Sequence, residues 1–191
     1  MGWVMSDRSR AIKITEAVVN DCFPIPRHIC VANVAWSLLS YEADLIALTQ
    51  SRYMIEVEIK ISLADLRRDA DKAKWTSRAF GRVSRFYYAV PDALWSKQAA
   101  KDCIRAGAGV IVVAERNGCL RASTAIEAER THALPLSERE AFDLARVGSF
   151  RAWSPQQRHR LRQLQAEQEM AKRKRQAEWE TWIKQRQEQA A

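Results

Sequence analysis

The chain has 191 residues, 47% hydrophobic and 28% charged, with seven tryptophans; that suits one ordinary core plus an appendage and excludes a disordered chain. The longest small-or-apolar run, residues 107–114, is far too short to span a bilayer, and the opening MGWVMSDRSR turns polar at once, so no membrane span and no signal peptide are expected and a cytoplasmic location follows by exclusion. The formal net charge of +8 is uneven: from Arg151 onward ten Lys/Arg face five Glu, a net of +5, which leaves only +3 for residues 1–150 and excludes the body alone as an obvious polyanion binder.

Residues 6–20 read as a helix, with Ile12, Ala17, Val18 and Val19 on an approximate stripe. Pro24 and Pro26 then break regularity. Three β-prone stretches follow at 29–39, 43–49 and 53–61. Ser62 with Asp65 three positions later has N-cap spacing, and a helix is expected to continue through Trp75. Residues 76–85 read as a loop, 85–90 as a strand stopped by Pro91, and 92–106 as a helix with Gly107 at its C-cap. The run 110–114 (VIVVA) suits a buried, parallel position. Asn117-Gly118 signals a tight hairpin into 119–123. Ser137 and Glu140 open a helix whose inner face would hold Phe142, Leu144, Ala145 and Val147. Ser154-Pro155 starts a long polar helix that meets no further glycine or proline before Ala191. Its heptad is not sustained, so no coiled coil is expected.

This order gives a single α/β domain over residues 1–150, with a mixed central sheet flanked by helices, and a basic helical extension over 151–191. Cys22, Cys30, Cys103 and Cys119 have no regular spacing and read as thiols of a reducing compartment. His28 and His159 have no convincing partners.

The strand through Met54–Ile61 alternates Tyr53, Ile55, Val57, Ile59 and Ile61 on one side with Glu56, Glu58 and Lys60 on the other. A three-residue turn over Gln50–Arg52 sets position i against 102 minus i, so Asp44 lies opposite Glu58 and Glu42 opposite Lys60. A two-residue turn would flip the face and set Asp44 against Val57. Two carboxylates so close repel unless a cation neutralises them. Asp44 and Glu58 are hard oxygen donors suited to Mg²⁺ or Mn²⁺, and the Ile59 carbonyl would add a third oxygen. Lys60 would orient or deprotonate an attacking water, or stabilise charge on a phosphate. The same alternation also occurs on a solvated sheet face, where Glu42–Lys60 pairing is ordinary surface stabilisation.

An acid on one strand and (D/E)-x-K on the next, here Asp44 and Glu58-Ile59-Lys60, resembles the PD-(D/E)XK nuclease superfamily. More narrowly, EADL (42–45), EVEIKIS (56–62), ADLRRDADKAKW (64–75) and FYYAVP (86–91) are similar to MmcB-like DNA repair proteins and related phage proteins. The proline that often precedes the first acid is replaced by Ala43. The resemblance implies a restriction-endonuclease-like core, Mg²⁺ with Mn²⁺ as an alternative, and DNA as partner. It makes Asp44, Glu58 and Lys60 the catalytic residues, with Asp44, Glu58 and the Ile59 carbonyl on the metal. Asp65, Asp69 and Lys72 match helix positions of the narrower group. Glu16 is the available acid on the first helix, and Glu42 and Glu56 are further accessory candidates. Each has an ordinary alternative: Asp65 as the residue at the helix start, Asp69–Lys72 as an i,i+3 pair, Glu16 and Glu56 as solvated side chains. Trp36 and Trp75 would stack on a base or simply pack.

Two functions follow. One is metal-dependent hydrolysis of DNA in repair, phage DNA processing or defence. The other is a catalytically inactive nuclease fold that grips nucleic acid or a partner through Lys172, Arg173, Lys174 and Arg175 with Trp179 and Trp182. A homodimer or a protein partner on the C-terminal helix is left open.

Overall fold

The computed structural model describes residues 7–35, 39–69, 72–76, 80–152 and 170. The chain divides into two compact units, Met1–Gly148 and Ser149–Ala191, and the sheet belongs to the first. The expected helix from Ser154, the basic cluster at Lys172–Arg175, and Trp36, His159, Trp179 and Trp182 lie outside the described residues.

Helix α1 (Asp7–Asp21) leads into six strands: β1 (His28–Val34), β2 (Ala43–Thr49), β3 (Met54–Ile59), β4 (Val83–Pro91), β5 (Gly109–Arg116) and β6 (Cys119–Ile126). They stand side by side in chain order. β1, β2 and β3 are antiparallel neighbours, β3–β4 and β4–β5 are parallel, and β6 returns antiparallel on β5. A parallel pair needs a crossover. The first runs through α2 (Leu63–Asp69) and the 3-10 turns Ala73–Thr76 and Phe80–Arg82; the second runs through α3 (Asp92–Trp95) and α4 (Gln98–Lys101). Helix α5 occupies residues 138–152. The architecture is mixed α/β, a central mixed sheet flanked by helices with a further helix after it.

The β2–β3 hairpin is the element that matters most for function. Arg52, at φ +62°, closes the turn by donating its N–H to the Thr49 carbonyl at 2.9 Å, and Thr49 donates to the Tyr53 carbonyl at 3.0 Å. Leu45 therefore pairs with Val57, Ile46 with Glu56, Ala47 with Ile55 and Leu48 with Met54. This is the register of the three-residue turn. The Asn117-Gly118 turn also forms as expected, with φ of +52° and +74°.

Both faces of the sheet are covered. On one, Ile46, Leu48, Met54, Phe86, Tyr88 and Val110 pack with Leu66 and Leu144. On the other, Leu45, Ala47, Ile55, Val57, Ile59 and Ile111 pack with Ile14, Ala17 and Val18 of α1. All six residues of β3 are buried, which corrects the expectation that its charged side would stand open.

Several elements are shorter than their periodicity suggests. The helix expected through Trp75 stops at Asp69, whose carbonyl takes the N–H of Lys72 and the indole of Trp75 instead of extending the helical ladder. The helix expected over 92–106 splits because Lys97 is extended (φ −86°, ψ 127°), and Gly107, at φ +78°, closes a separate turn. Phe142 is 66% exposed, correcting its assignment to the inner face. Residues two apart on a helix do not share a face, and Leu144 holds the buried position. The start of α5 is as expected: Ser137 N–H reaches Glu140 Oε2 at 2.9 Å and Glu140 N–H reaches Ser137 Oγ at 3.3 Å. All four cysteines are free thiols. Among the described residues no helix is long and apolar enough to cross a membrane.

Gly109 shows how tightly the sheet is packed. A Cβ there would run into the Tyr87 ring and come within 2.7 Å of the Ala128 nitrogen. Gly109→Ala is expected to lower stability by about 1–3 kcal/mol, read as a fall in the urea midpoint at unchanged slope.

Candidate functional site

The β2–β3 ladder ends at Leu45 and Val57, and one step further the same register sets Asp44 against Glu58. Here Asp44 Oδ2 accepts the Ile59 N–H at 2.8 Å, tying the two strands where the ladder stops. Glu58 is surrounded by lysines. Its Oε2 lies 2.9 Å from Lys60 Nζ and 3.3 Å from Lys72 Nζ, and its Oε1 lies 2.5 Å from Lys74 Nζ. Lys74 also holds Glu56 Oε1 at 3.0 Å, while Tyr41 donates its hydroxyl to Glu56 Oε2 at 2.6 Å. Asp69 Oδ1 sits 2.9 Å from both Lys60 Nζ and Lys72 Nζ, as ion pairs without hydrogen-bond alignment, and Tyr88 donates to Oδ2 at 2.8 Å. Aromatic faces enclose Lys74: its ammonium is 4.6 Å from the Trp75 ring centroid and 4.7 Å from that of Phe86.

Thus Asp44, Glu56, Glu58, Lys60, Asp69 and Lys72, singled out in sequence, come together. The setting differs from the solvent-open cleft expected. Glu58 and Lys60 are each 2% exposed and Glu56 and Asp69 fully buried. Trp75 packs edge-on against Phe86 at 4.9 Å and donates its indole N–H to Asp69, so it is a wall of this network.

The charges explain the titration. Burial would raise the Glu58 carboxyl, but Lys74 and Lys60 outweigh it and hold Glu58 below its ordinary value. Asp69 is likewise held low against burial by Lys60 and Lys72. Glu56 is raised, chiefly by burial. Lys60 is raised by Glu58 despite burial. Four carboxylates, counting Asp44, face the ammonium groups of Lys60, Lys72 and Lys74, so one negative charge is in excess. It falls on Asp44, pushed up to about 6 by burial and by the neighbouring Glu58 charge.

Asp44 also borders a cleft of about 940 Å³ beside α1, with Glu16, Glu42, Asp65, Ile59 and Ile61 in its lining. The structure therefore separates the accessory acids: Glu16, Glu42 and Asp65 line this cleft, whereas Glu56 and Asp69 lie in the buried network. Glu58 and Lys60 are not among the cleft's lining residues. Glu42 does not take Lys60, whose ammonium goes to Glu58 and Asp69. Asp65 keeps its role at the helix start, its N–H donating to Ser62 Oγ at 3.1 Å. Both oxygens of Glu58 are taken by lysines, one oxygen of Asp44 is taken by an amide, and among the described residues no group of three or more His, Cys, Asp or Glu is gathered to hold an ion.

Lys74, Tyr41 and Tyr88 were not singled out in sequence. Tyr88 could have been found from strand alternation, since the parallel register sets it beside Glu58. Lys74 could not, because a helix continued through Trp75 conceals the 3-10 turn that carries it inward.

No protein-family model and no curated protein matches the chain. Among solved structures it is similar to the SPO1766 protein of unknown function from Silicibacter pomeroyi, at 17% identity and a TM-score of 0.55, covering 78% of this chain and 90% of that one. That likeness concerns the fold.

Removing Lys74 strands Glu56, which keeps only the Tyr41 hydroxyl, and takes one of three lysines from Glu58. Lys74→Met is expected to lower unfolding free energy by about 3–5 kcal/mol, with partial recovery in Lys74→Met/Glu56→Gln, both read by urea denaturation. Asp44 titrates in the opposite sense to Glu58. Its folded pKa lies above the ordinary 3.8, so the folded state holds a proton that the unfolded chain has released, and stability falls as pH rises from about 4 through about 6. Asp44→Asn should therefore raise the melting temperature at pH 8 and raise it much less at pH 4.

Proposed function

We propose that the chain carries a restriction-endonuclease-like core and serves as a nucleic-acid-binding or assembly module in which the acid–lysine motif is a buried structural lock. The order helix, three antiparallel strands, crossover helix and parallel strand supports the nuclease-like core, as does the likeness of residues 42–91 to MmcB-like proteins. The observation that carries the non-catalytic reading is Glu58: it is 2% exposed, with lysine ammonium groups on both oxygens. A carboxylate so engaged offers little to a cation. The excess of positive charge from Arg151 onward, with Lys172–Arg175 at its centre, supplies the affinity for phosphate.

A second reading is metal-dependent hydrolysis of DNA, and one observation favours it. Asp44 stands beside Glu58 with its carboxyl pushed up to about 6 by burial and by the Glu58 charge, a strain on the ionised form that Mg²⁺ or Mn²⁺ would relieve. Asp44, Glu58 and the Ile59 carbonyl would hold the ion once Lys60, Lys72 and Lys74 released Glu58.

Fluorescence anisotropy with labelled duplex and single-stranded DNA separates the two. Binding is expected to weaken steeply with salt, and replacing Lys172, Arg173, Lys174 and Arg175 by alanine should flatten the log–log salt slope by up to about 4 units on duplex and about 3 on single-stranded DNA. Asp44→Asn should leave binding unchanged. Absence of binding at low salt would sink the nucleic-acid-binding reading and leave only assembly with a partner. DNA cleavage in Mn²⁺ that disappears in Asp44→Asn would establish the second reading instead.

A further inference from the structure

A cavity of about 490 Å³ opens at the other end of β3, lined by residues 53 and 55 and not by 44 or 59. Ile55 and Ile59 are four residues apart, about 13 Å along the strand, so this hollow is separate from the acid–lysine network. Its floor is apolar and largely aromatic: Phe23, Ile55 and Tyr87 are all at least nine-tenths buried, and the Phe23 and Tyr87 rings meet edge-on at 6.1 Å.

The rim is cationic. Arg130 lies over the Tyr53 ring, 4.3 Å from its centroid, and has no ion-pair partner among the described residues. Stacking fixes the guanidinium plane and leaves its donors for a ligand. Arg85 is held 3.4 Å from Glu127, which also accepts the Tyr87 hydroxyl at 2.7 Å. Glu127 is the one carboxylate in the lining, set against two guanidinium groups, and its carboxylate contacts Arg85 and Tyr87. Ser51 and Thr124 add hydroxyl donors at the edge. A shallower hollow shares His28, Thr49 and Ser51 with the first and adds Arg27, so the basic lining continues beyond the cavity.

We propose that this hollow binds a phosphate group joined to a planar ring, the chemistry of a nucleotide, with Arg130 and Arg85 on the phosphate and the Phe23–Ile55–Tyr87 floor under the ring. The volume lies within the ~300–1,000 Å³ of ordinary ligand pockets. An arginine pair suits phosphate because the planar fork can offer two parallel hydrogen bonds. The ligand is either a free nucleotide or one unit of a strand whose neighbouring phosphate follows the lining toward Arg27. In the second case the site deepens the nucleic-acid reading above and rests on it.

The test is calorimetric titration of the full chain with deoxyadenosine monophosphate, deoxyadenosine, inorganic phosphate and a short single-stranded oligonucleotide. The monophosphate should bind at least tenfold more tightly than the nucleoside or phosphate alone. Arg130→Ala and Arg85→Ala should each weaken it at least tenfold with an unchanged melting temperature, and Arg130→Lys should restore only part. A strand as ligand makes the oligonucleotide bind more tightly than the monophosphate and compete with it. No saturable binding of the monophosphate or the oligonucleotide at millimolar concentration, or equal affinity in the arginine variants, would overturn the site. DNA binding that is unaltered by Arg130→Ala would refute the strand as ligand while leaving the wider proposal standing. Monophosphate binding in a chain that ignores DNA would do the reverse.

Discussion

The ammonium group of Lys74, lying between Glu56 and Glu58, is the interaction on which the middle of this sheet depends. Two carboxylates at alternate positions of a fully covered strand cannot both stay ionised without a counter-charge. Lys74 supplies it from outside the strand, at 3.0 and 2.5 Å, and Trp75 and Phe86 close over it. The local chain follows from that demand. Helix α2 ends at Asp69, the 3-10 turn Ala73–Thr76 swings Lys74 inward, and Lys60 and Lys72 pair with Asp69 at the other side of Glu58. Buried ion pairs of this kind add little net stability over an apolar core, but breaking one is costly. The network therefore constrains the register of β3 and the path of the crossover more than it deepens the energy minimum.

The same arithmetic separates Asp44 from its neighbours. Glu56, Glu58 and Asp69 each have lysine partners, whereas Asp44 has a backbone amide and a view of the cleft beside α1. It is the carboxylate of the set that meets a cleft and has no lysine ammonium bonded to it. A nuclease would draw on this asymmetry by bringing an ion to Asp44 and freeing Glu58; a binding module would keep Glu58 locked and use positive charge elsewhere. The sealed position of Glu58 and Lys60 favours the second.

Local chemistry was readable wherever a few adjacent residues decide the outcome. The turn over Gln50–Arg52 and the alternation of β3 set Asp44 against Glu58, because a slip of one residue would have turned Glu56 and Glu58 toward the apolar face under α1. Asn117-Gly118, Ser62 with Asp65, and Ser137 with Glu140 are equally local, and each forms the turn or cap that its spacing suggests. What could not be read depends on long-range packing. Alternation marks Glu56, Glu58 and Lys60 as one side of a strand, but not whether a second layer covers that side. Helical period carried past Asp69 points Lys74 away from Glu58, and only the carbonyl of Asp69, engaged by Trp75, shows why the helix stops. Lys97 breaks a stretch of good helix formers through its own extended backbone, with no proline or glycine to announce it. Phe142 attracts notice by size, yet Leu144 occupies the buried position.

Whether Glu58 is locked by lysine or available to a cation is tested most directly by isothermal titration of Mn²⁺ into the wild-type chain and Asp44→Asn at pH 7.5. A locked network predicts no saturable binding up to millimolar Mn²⁺ in either protein. A single saturable site of micromolar affinity in the wild type, lost in Asp44→Asn, would contradict it.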